Sequence, residues 1–296
     1  MNDQNVSENE LLTVICTTYN HGNYIERCIS GILEQETTFK YRVLIHDDCS
    51  TDNTTEIVKS LAKAHPEKIT AIIQKENQYS KGIKPAEILS PLINSKYLAY
   101  CEGDDFWCDK NKLQIAVNFL ETNKDFYCVF HNYKILEDRT GKITSRPLSS
   151  DIVLSPTEMK RNRIFCRTCT LVRRGTPLEP SSDPKYIGNN FIYETSKIKN
   201  GDLLRNSAMG YHGKGMYLGS YYGSVFRANE HSAWEFLPEV DKSQHRAVSR
   251  YWIARFHERM GDLDTAAYWA SGALKNLQSG LQDIFDEQTR QTTPGS

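Results

Sequence analysis

Three carboxylates fall within four positions of YLAYCEGDDFWCDK (97–110): Glu102, Asp104 and Asp105, directly behind an apolar, β-prone run. Acids this close repel one another, and a cation or a basic partner relieves the repulsion. Carboxylates one residue apart at a strand end suit Mg²⁺ or Mn²⁺, hard cations that take oxygen ligands and keep water or phosphate oxygens as well. A surface loop would also hold such acids. A second acidic element, HDDCSTDNT (46–54), ends another strand-like run with Asp47 and Asp48. Ser50, Thr51 and Asp52 read as helix caps. Asp48 is then left to accept a hydrogen bond from an imide N–H such as that of uracil, with Tyr19 stacking on the base.

The elements that must position these residues follow from periodicity. LLTVICTTY (11–19) reads as a buried strand, and Ile25, Cys28, Ile29, Ile32 and Leu33 follow at amphipathic-helix spacing. YRVLIHDD (41–48), a helix with Ile57, Val58 and Leu61, and ITAIIQ (69–74) repeat the order. After a Pro-containing segment come the strand KYLAYC and a helix with Leu113, Val117, Phe119 and Leu120. Alternating strands and helices predict a mixed, mostly parallel α/β sheet flanked by helices, with ligands beyond the carboxyl ends of the strands. Thr17–Asn20, His46–Asp48 and Glu102–Asp105 should therefore share one rim. Past residue 135, DIVLS, CTLVRR, GMYLG and YYGSVFR suit a smaller sheet with loops that close over the rim. RYWIARFHERMGDLDTAAYWASGALKNL reads as one tetratricopeptide-like helical hairpin, with Gly261 at the turn and Ala266 and Ala273 at close-packed positions. One such unit cannot form a solenoid and should pack on the main domain. The expected divisions are a flexible start (1–10), an α/β half (11–135), an acceptor-side half (136–239), the hairpin (240–280) and a tail (281–296).

A formal net charge of −1 on 296 residues gives no global attraction to nucleic acid, and no nucleic-acid module is present. No apolar run reaches the roughly 18 residues of a membrane span, and the polar start MNDQNVSENE lacks the layout of a secretory signal, so a cytosolic protein is expected. The eight cysteines are expected reduced, and the lone CxxC of Cys166 and Cys169 lacks the second pair of a zinc site. From Met159 to Leu178 there are six basic residues, Lys160, Arg161, Arg163, Arg167, Arg173 and Arg174, and no acid. They form either a solvated face or a patch (160–174) for peripheral contact with an anionic membrane or the diphosphate of a lipid-linked acceptor.

TTYNHGNYI (17–25), DDCSTDNT (47–54) and EGDDFW (102–107), in this order and spacing, resemble the nucleotide-sugar domain of family 2 inverting glycosyltransferases of the GT-A fold, as found in bacterial surface-polysaccharide assembly. The resemblance covers residues 11 to 135. It implies that Thr17, Tyr19 and Asp48 hold the uracil of a UDP-sugar, that Asn20 also binds the donor, and that Asp104 and Asp105 meet the ribose and the Mn²⁺ or Mg²⁺ bridging the diphosphate. Glu102 stands where the family often has Asp and has no assigned role. In KNGDLLRNSAMGYHGKGMYLG (199–219), Asp202 takes the place of the catalytic base, helix N-cap being the alternative. In SVFRANEHSAWEF (224–236), Arg227 follows an aromatic as in a stretch that folds over the diphosphate. Asn229 occupies the position of a frequent histidine, and His231 and Trp234 are further candidates. The implied activity is metal-dependent transfer of a hexose or N-acetylhexosamine from a UDP-sugar to a sugar hydroxyl of a glycan or lipid-linked acceptor. One alternative is a sugar-nucleotide nucleotidyltransferase, against which TTYNHGNYIER, with one glycine and no lysine, argues. The other is a scaffold binding partners through its C-terminal helices, against which the acids at 102, 104, 105 and 202 argue.

Overall fold

β1 (Leu12–Thr18) is buried along nearly its whole length, as a strand covered on both faces must be. Leu12, Val14 and Cys16 join the main core, whereas Ile15 packs with Leu89 and Leu98 in a second cluster. α1 (Ile25–Leu33) buries Ile25, Cys28, Ile29 and Ile32, the stripe its spacing predicts. β2 (Tyr41–Asp47), α2 (Thr54–Ala64) and β3 (Ile69–Ile73) repeat the strand–helix unit. A connection containing the short α3 (Pro85–Leu89) leads to β4 (Tyr97–Glu102), the two-residue β5 (Phe106–Trp107) and α4 (Lys112–Thr122). This computed structural model describes residues 10–175, 198, 200–229 and 237–292, with side chains up to residue 282.

β1 pairs in parallel with β2 on one side and β4 on the other, and β3 extends the sheet beyond β2. The chain thus reverses its winding direction at β1, which opens a crevice beyond the strand ends. The register puts Thr17 opposite both His46 and Glu102, and Thr18 opposite Asp47. The three segments expected to share a rim therefore end at one level of one sheet.

The rest of the sheet comes from β6 (Phe126–Glu137), β7 (Lys142–Ser145), β8 (Ile152–Leu154), β9 (Val172–Arg174) and β10 (Lys214–Ala228). The strand order is β3-β2-β1-β4-β9-β6-β10-β5, with β7 on β6 and β8 on β10; β9 joins β4 and β6 antiparallel. GMYLG and YYGSVFR, read separately from the sequence, form one continuous strand of 15 residues. β6 has no alternating pattern because its first eight residues are all buried. Two of them are polar: Asn132 donates to the carbonyls of Pro147 (3.1 Å) and Gly219 (3.2 Å), and burial, with the charge of Lys112, pushes the pKa of His131 down to about 3.

Lys112 is itself a test of this core. It is 1% exposed, its Nζ has no hydrogen-bond partner among the described residues, and it lies 4.1 Å from the Trp107 ring centroid. Burial lowers its pKa to about 8. Because this folded value lies below the unfolded one, the wild type gains stability as pH rises from about 8 through the unfolded value near 10.4. Lys112→Met keeps the stem without the charge and is expected to stabilise the protein by about 2 kcal/mol at pH 7. Urea midpoints should show this advantage shrinking towards pH 10.

The described residues fall into two compact units. The first joins the chain up to Leu154 with Cys166–Thr176 and Gly213–Arg227; the second takes Ser155–Phe165 and the described parts of Pro177–His212 and Ala228–Ser296. The segment 136–239, expected as one half, is shared between them. In the second unit, α5 (Pro156–Lys160) is closed by a reciprocal Ser155–Glu158 capping box. α6 (Gly201–Met209), α7 (Glu239–Arg259) and α8 (Leu263–Thr292) complete it. Gly261 adopts φ +74 at the α7–α8 turn, where a glycine was expected, and Ala273 is buried. α8 runs to Thr292 through residues read from the sequence as a tail, since LQDIFDEQTRQ holds no glycine or proline to end it.

His257 ties this unit together. Its Nε2 lies 2.7 Å from Ser207 Oγ and its Nδ1 2.7 Å from Tyr211 OH, while Ser207 donates to the Lys160 carbonyl at 2.5 Å. The neutral ring satisfies both partners, and burial holds its pKa near 4. A lowered folded pKa means stability present at neutral pH is lost as pH falls from the unfolded value near 6.5 through 4. Lowering the pH from 7 to 4.5 should remove about 2 kcal/mol through this group. Urea unfolding of His257→Gln should show a correspondingly smaller pH dependence.

Candidate active site

The chain leaves β1 with Tyr19 43% exposed and turns at Asn20, whose φ of 56 is left-handed. Asn20 Oδ1 accepts from Thr51 N–H (2.7 Å) and Thr51 Oγ1 (3.2 Å), and its own N–H donates to Ser50 Oγ (2.9 Å). Gly22 N–H donates to Asp52 Oδ2 at 3.0 Å. Asn20, expected at the donor, thus fastens the loop after β1 to the loop after β2. Ser50 and Thr51 are spent on this link, and α2 begins only at Thr54, whose N–H is accepted by Asp52 Oδ1 (3.0 Å). Asp47 is fully buried and accepts from Ser50 Oγ and Thr55 Oγ1, both at 2.5 Å. The two oxygens of Asp48 accept the N–H groups of Gln78 (2.8 Å) and Tyr79 (3.0 Å). Each oxygen has a second lone pair, so Asp48 can accept one donor more. Thr17 is half-buried at the same level.

The acidic turn is closed by Asp105 N–H donating to Glu102 O and by Gly103 N–H donating to Thr17 O, both at 2.9 Å. A Cβ on Gly103 would stand 2.7 Å from Thr18 Oγ1 and 2.8 Å from His21 Nδ1, so the close approach admits only glycine. The three acids differ sharply in exposure. Glu102 is exposed, Asp104 retains 22% of its side-chain surface, and Asp105 is 2% exposed. Asp105 Oδ1 accepts the backbone N–H of Arg227 at 2.8 Å. Burial first, and then the charges of Asp104 and Glu102, push its pKa well above the usual carboxylate range. His21 Nε2 lies 3.9 Å from Asp104 Oδ2, but burial lowers the His21 pKa despite that neighbour. A crowded acidic turn in which Glu102 is exposed and Asp104 partly so suits a divalent cation. Among the described residues no three metal-ligating side chains converge, so most of the shell of such a cation would come from water or a bound ligand.

Arg227, expected at the diphosphate, makes its contacts here with groups of the protein. Its Nε donates to Asp104 O (3.0 Å), its Nη1 pairs with Asp138 Oδ1 (2.5 Å), and its guanidinium lies 4.5 Å from the Tyr24 ring centroid. Sequence reading passed over Tyr24, although it stands within TTYNHGNYI. Asp138 carries no local signal, being brought to the rim by the β6–β7 turn.

Asp202 belongs to the second unit. Asn200 holds the N-cap position of α6, its N–H donating to Ser249 Oγ at 3.1 Å, and Asp202 is the second residue of the helix. The capping alternative for Asp202 therefore passes to Asn200. Among the described residues no hydrogen bond or ion pair engages the Asp202 carboxylate. His231 and Trp234 lie outside the described residues.

The basic segment is not a free cationic face. Arg173 is buried and donates to Tyr100 OH (2.8 Å) and Tyr127 OH (2.9 Å), and Arg174 donates to the carbonyls of Leu120, Phe126 and Asn123. Arg167 stacks 3.7 Å from the Phe226 centroid. In the second unit Lys160 pairs with Asp262, Arg163 pairs with Glu158, and Arg161 lies over Tyr268. Arg173 and Arg174 are thus committed to internal partners, whereas the Arg163 side chain remains 54% exposed. No helix among the described residues is long and apolar enough to cross a membrane.

Residues 13–176 match the family described as Glycosyl transferase family 2, and they include all three rim segments. An Escherichia coli relative, UDP-Glc:alpha-D-GlcNAc-diphosphoundecaprenol beta-1,3-glucosyltransferase WfaP, is 31% identical over 170 residues, covering 56% of this chain and 62% of that protein. Uncharacterized mycobacterial relatives are 29% identical, and the match spans 46% of their length, so the chain covers about half of them. Among solved structures, a Staphylococcus aureus TarS fragment in complex with UDP-GlcNAc superposes with a TM-score of 0.59 at 14% identity, over 93% of this chain and 92% of that one. The mannosyltransferase PcManGT from Pyrobaculum calidifontis, in complex with GDP-Man and Mn²⁺, gives 0.59 at 15% identity, over 98% and 77%. Identities this low speak to fold alone, and the fold is the GT-A type: a mixed sheet flanked by helices, here with a C-terminal helix pair. The family match covers more than half of the sequence, and on that ground the chain belongs to glycosyl transferase family 2.

Proposed function

We propose that the chain transfers a hexose or N-acetylhexosamine from a UDP-sugar to a sugar hydroxyl, with inversion and with a divalent metal. The observation that carries this reading is the register of β1, β2 and β4 in a family 2 chain, which ends Thr17, Asp47 and Glu102 at one rim. The exposed ring of Tyr19 supplies a stacking surface for uracil, Asp48 an acceptor for its imide N–H, and Thr17 a neighbouring hydroxyl. Asp104, joined by the exposed Glu102, would hold Mn²⁺ or Mg²⁺. Once bound, the cation offsets charge developing on the departing diphosphate. Direct coordination, expected also of Asp105, is reassigned: its burial and its bond to the Arg227 N–H suit it to shaping the turn, and Arg227 serves the same end.

The acceptor hydroxyl oxygen attacks the anomeric carbon as the bond from that carbon to the diphosphate oxygen breaks, and the hydroxyl proton passes to a carboxylate. Asp202 is our choice for this base because KNGDLLRNSAMGYHGKGMYLG resembles the family segment in which an acid opens a helix, and because no described residue engages its carboxylate. The acceptor is a sugar of a glycan or of a lipid-linked diphosphate in surface-polysaccharide assembly, used in the cytoplasm or at the inner face of its membrane. The name of the relative WfaP, an enzyme of GlcNAc-diphosphoundecaprenol, supports this class.

Thermal unfolding with a panel of nucleotide sugars, with and without Mn²⁺, tests the reading. A ligand at 100 times its Kd stabilises the native state by about 2.7 kcal/mol. UDP-sugars should raise the midpoint further with metal present than without it. Stabilisation by nucleoside triphosphates alone would favour the nucleotidyltransferase, and no response to any nucleotide would favour the scaffold.

A further inference from the structure

The acidic turn has a support outside the three rim segments. Asp138 follows the last residue of β6 and directs its two carboxylate oxygens at different partners: Oδ1 to Arg227 Nη1 at 2.5 Å, and Oδ2 to Tyr24 OH at 2.8 Å. Arg227 then holds the turn twice, through Nε to Asp104 O at 3.0 Å and through its backbone N–H to Asp105 Oδ1 at 2.8 Å. The guanidinium is a rigid planar fork, so fixing Nη1 also fixes the direction of Nε. The Arg227 and Asp138 side chains retain only 12% and 27% of their exposure. An ion pair so shielded from water gives little net stability, because desolvation offsets much of the attraction. What it does supply is geometry: α1, through Tyr24, and the β6–β7 turn, through Asp138, are locked to the carbonyl of one acid and the carboxylate of the next.

We propose that Asp138 is a positioning residue for metal-dependent donor binding, acting through Arg227 on the Asp104–Asp105 turn. Tyr24 orients Asp138 by its hydrogen bond and supports the guanidinium with its ring. This inference rests on the donor site proposed above. Supporting partners of this kind commonly change metal affinity by 10- to 100-fold when removed.

The test is calorimetry of UDP binding with and without Mn²⁺ on the full chain, with Mn²⁺ titrated at saturating UDP. Asp138→Ala should weaken apparent Mn²⁺ affinity by about tenfold while leaving metal-free UDP binding unchanged, and Asp138→Glu should restore part of the loss. A merely structural role would lower both forms of binding together, and that result overturns the proposal. So does an unchanged Mn²⁺ titration in Asp138→Ala. If that variant fails to fold, Tyr24→Phe replaces it: a two- to threefold loss of Mn²⁺ affinity, about what one hydrogen bond carries, supports the proposal, and wild-type affinity overturns it. If the native chain itself shows no Mn²⁺-dependent UDP binding, the donor-site reading has failed, an outcome distinct from a wild-type response in the variant.

Discussion

Asp202→Asn is expected to bind UDP with Mn²⁺ as tightly as the native chain and to lose sugar transfer by about a thousandfold. The substitution keeps the shape of the side chain and removes only its ability to take a proton. Folding should tolerate it, because Asn200 rather than Asp202 occupies the N-cap of α6 and is anchored to Ser249. No described partner would be left unsatisfied. Transfer assays at saturating donor, beside calorimetry, separate chemistry from binding. Transfer within tenfold of native would remove Asp202 as the base, and loss of UDP binding would mean that it serves the donor instead.

Asp104→Ala carries the second large effect. Metal-dependent UDP affinity should fall by about 100-fold, because a hard cation bound by so few protein oxygens loses most of its hold with the first of them. Glu102→Gln should cost less, since an exposed carboxylate is screened and free to move. Asp105→Ala should differ in kind. Removing a buried acceptor leaves the Arg227 N–H unsatisfied, at a cost of about 1–3 kcal/mol in stability, so its loss should appear in unfolding as well as in binding. Metal-dependent binding unchanged by Asp104→Ala would refute the cation assignment.

Local sequence carried far in the α/β half because there the burial pattern is itself local. A fully buried parallel strand reads as an apolar run, and a helix covering it reads as a stripe, so β1, α1, β2, α2, β3 and β4 were legible together with the rim they end on. β6 was not legible, because a strand buried on both faces and interrupted by His131 and Asn132 has neither alternation nor a clean apolar run. The partners of the segment 160–174 were hidden for a related reason. Composition counts its cations, but Arg173 and Arg174 are spent on tyrosines and main-chain carbonyls that lie dozens of residues away.

By itself, then, the sequence determined the family resemblance, the strand–helix order and the placing of Thr17, Asp48 and the three acids at one set of strand ends, since periodicity and spacing are properties of short segments. Only the tertiary structure decided how the members of that set differ. Asp105 is sealed while Glu102 is exposed and Asp104 partly so, Asn20 links two loops, and Arg227 pairs with an aspartate 89 residues away. Exposure and partnership depend on what the rest of the chain brings alongside, and no spacing rule records that.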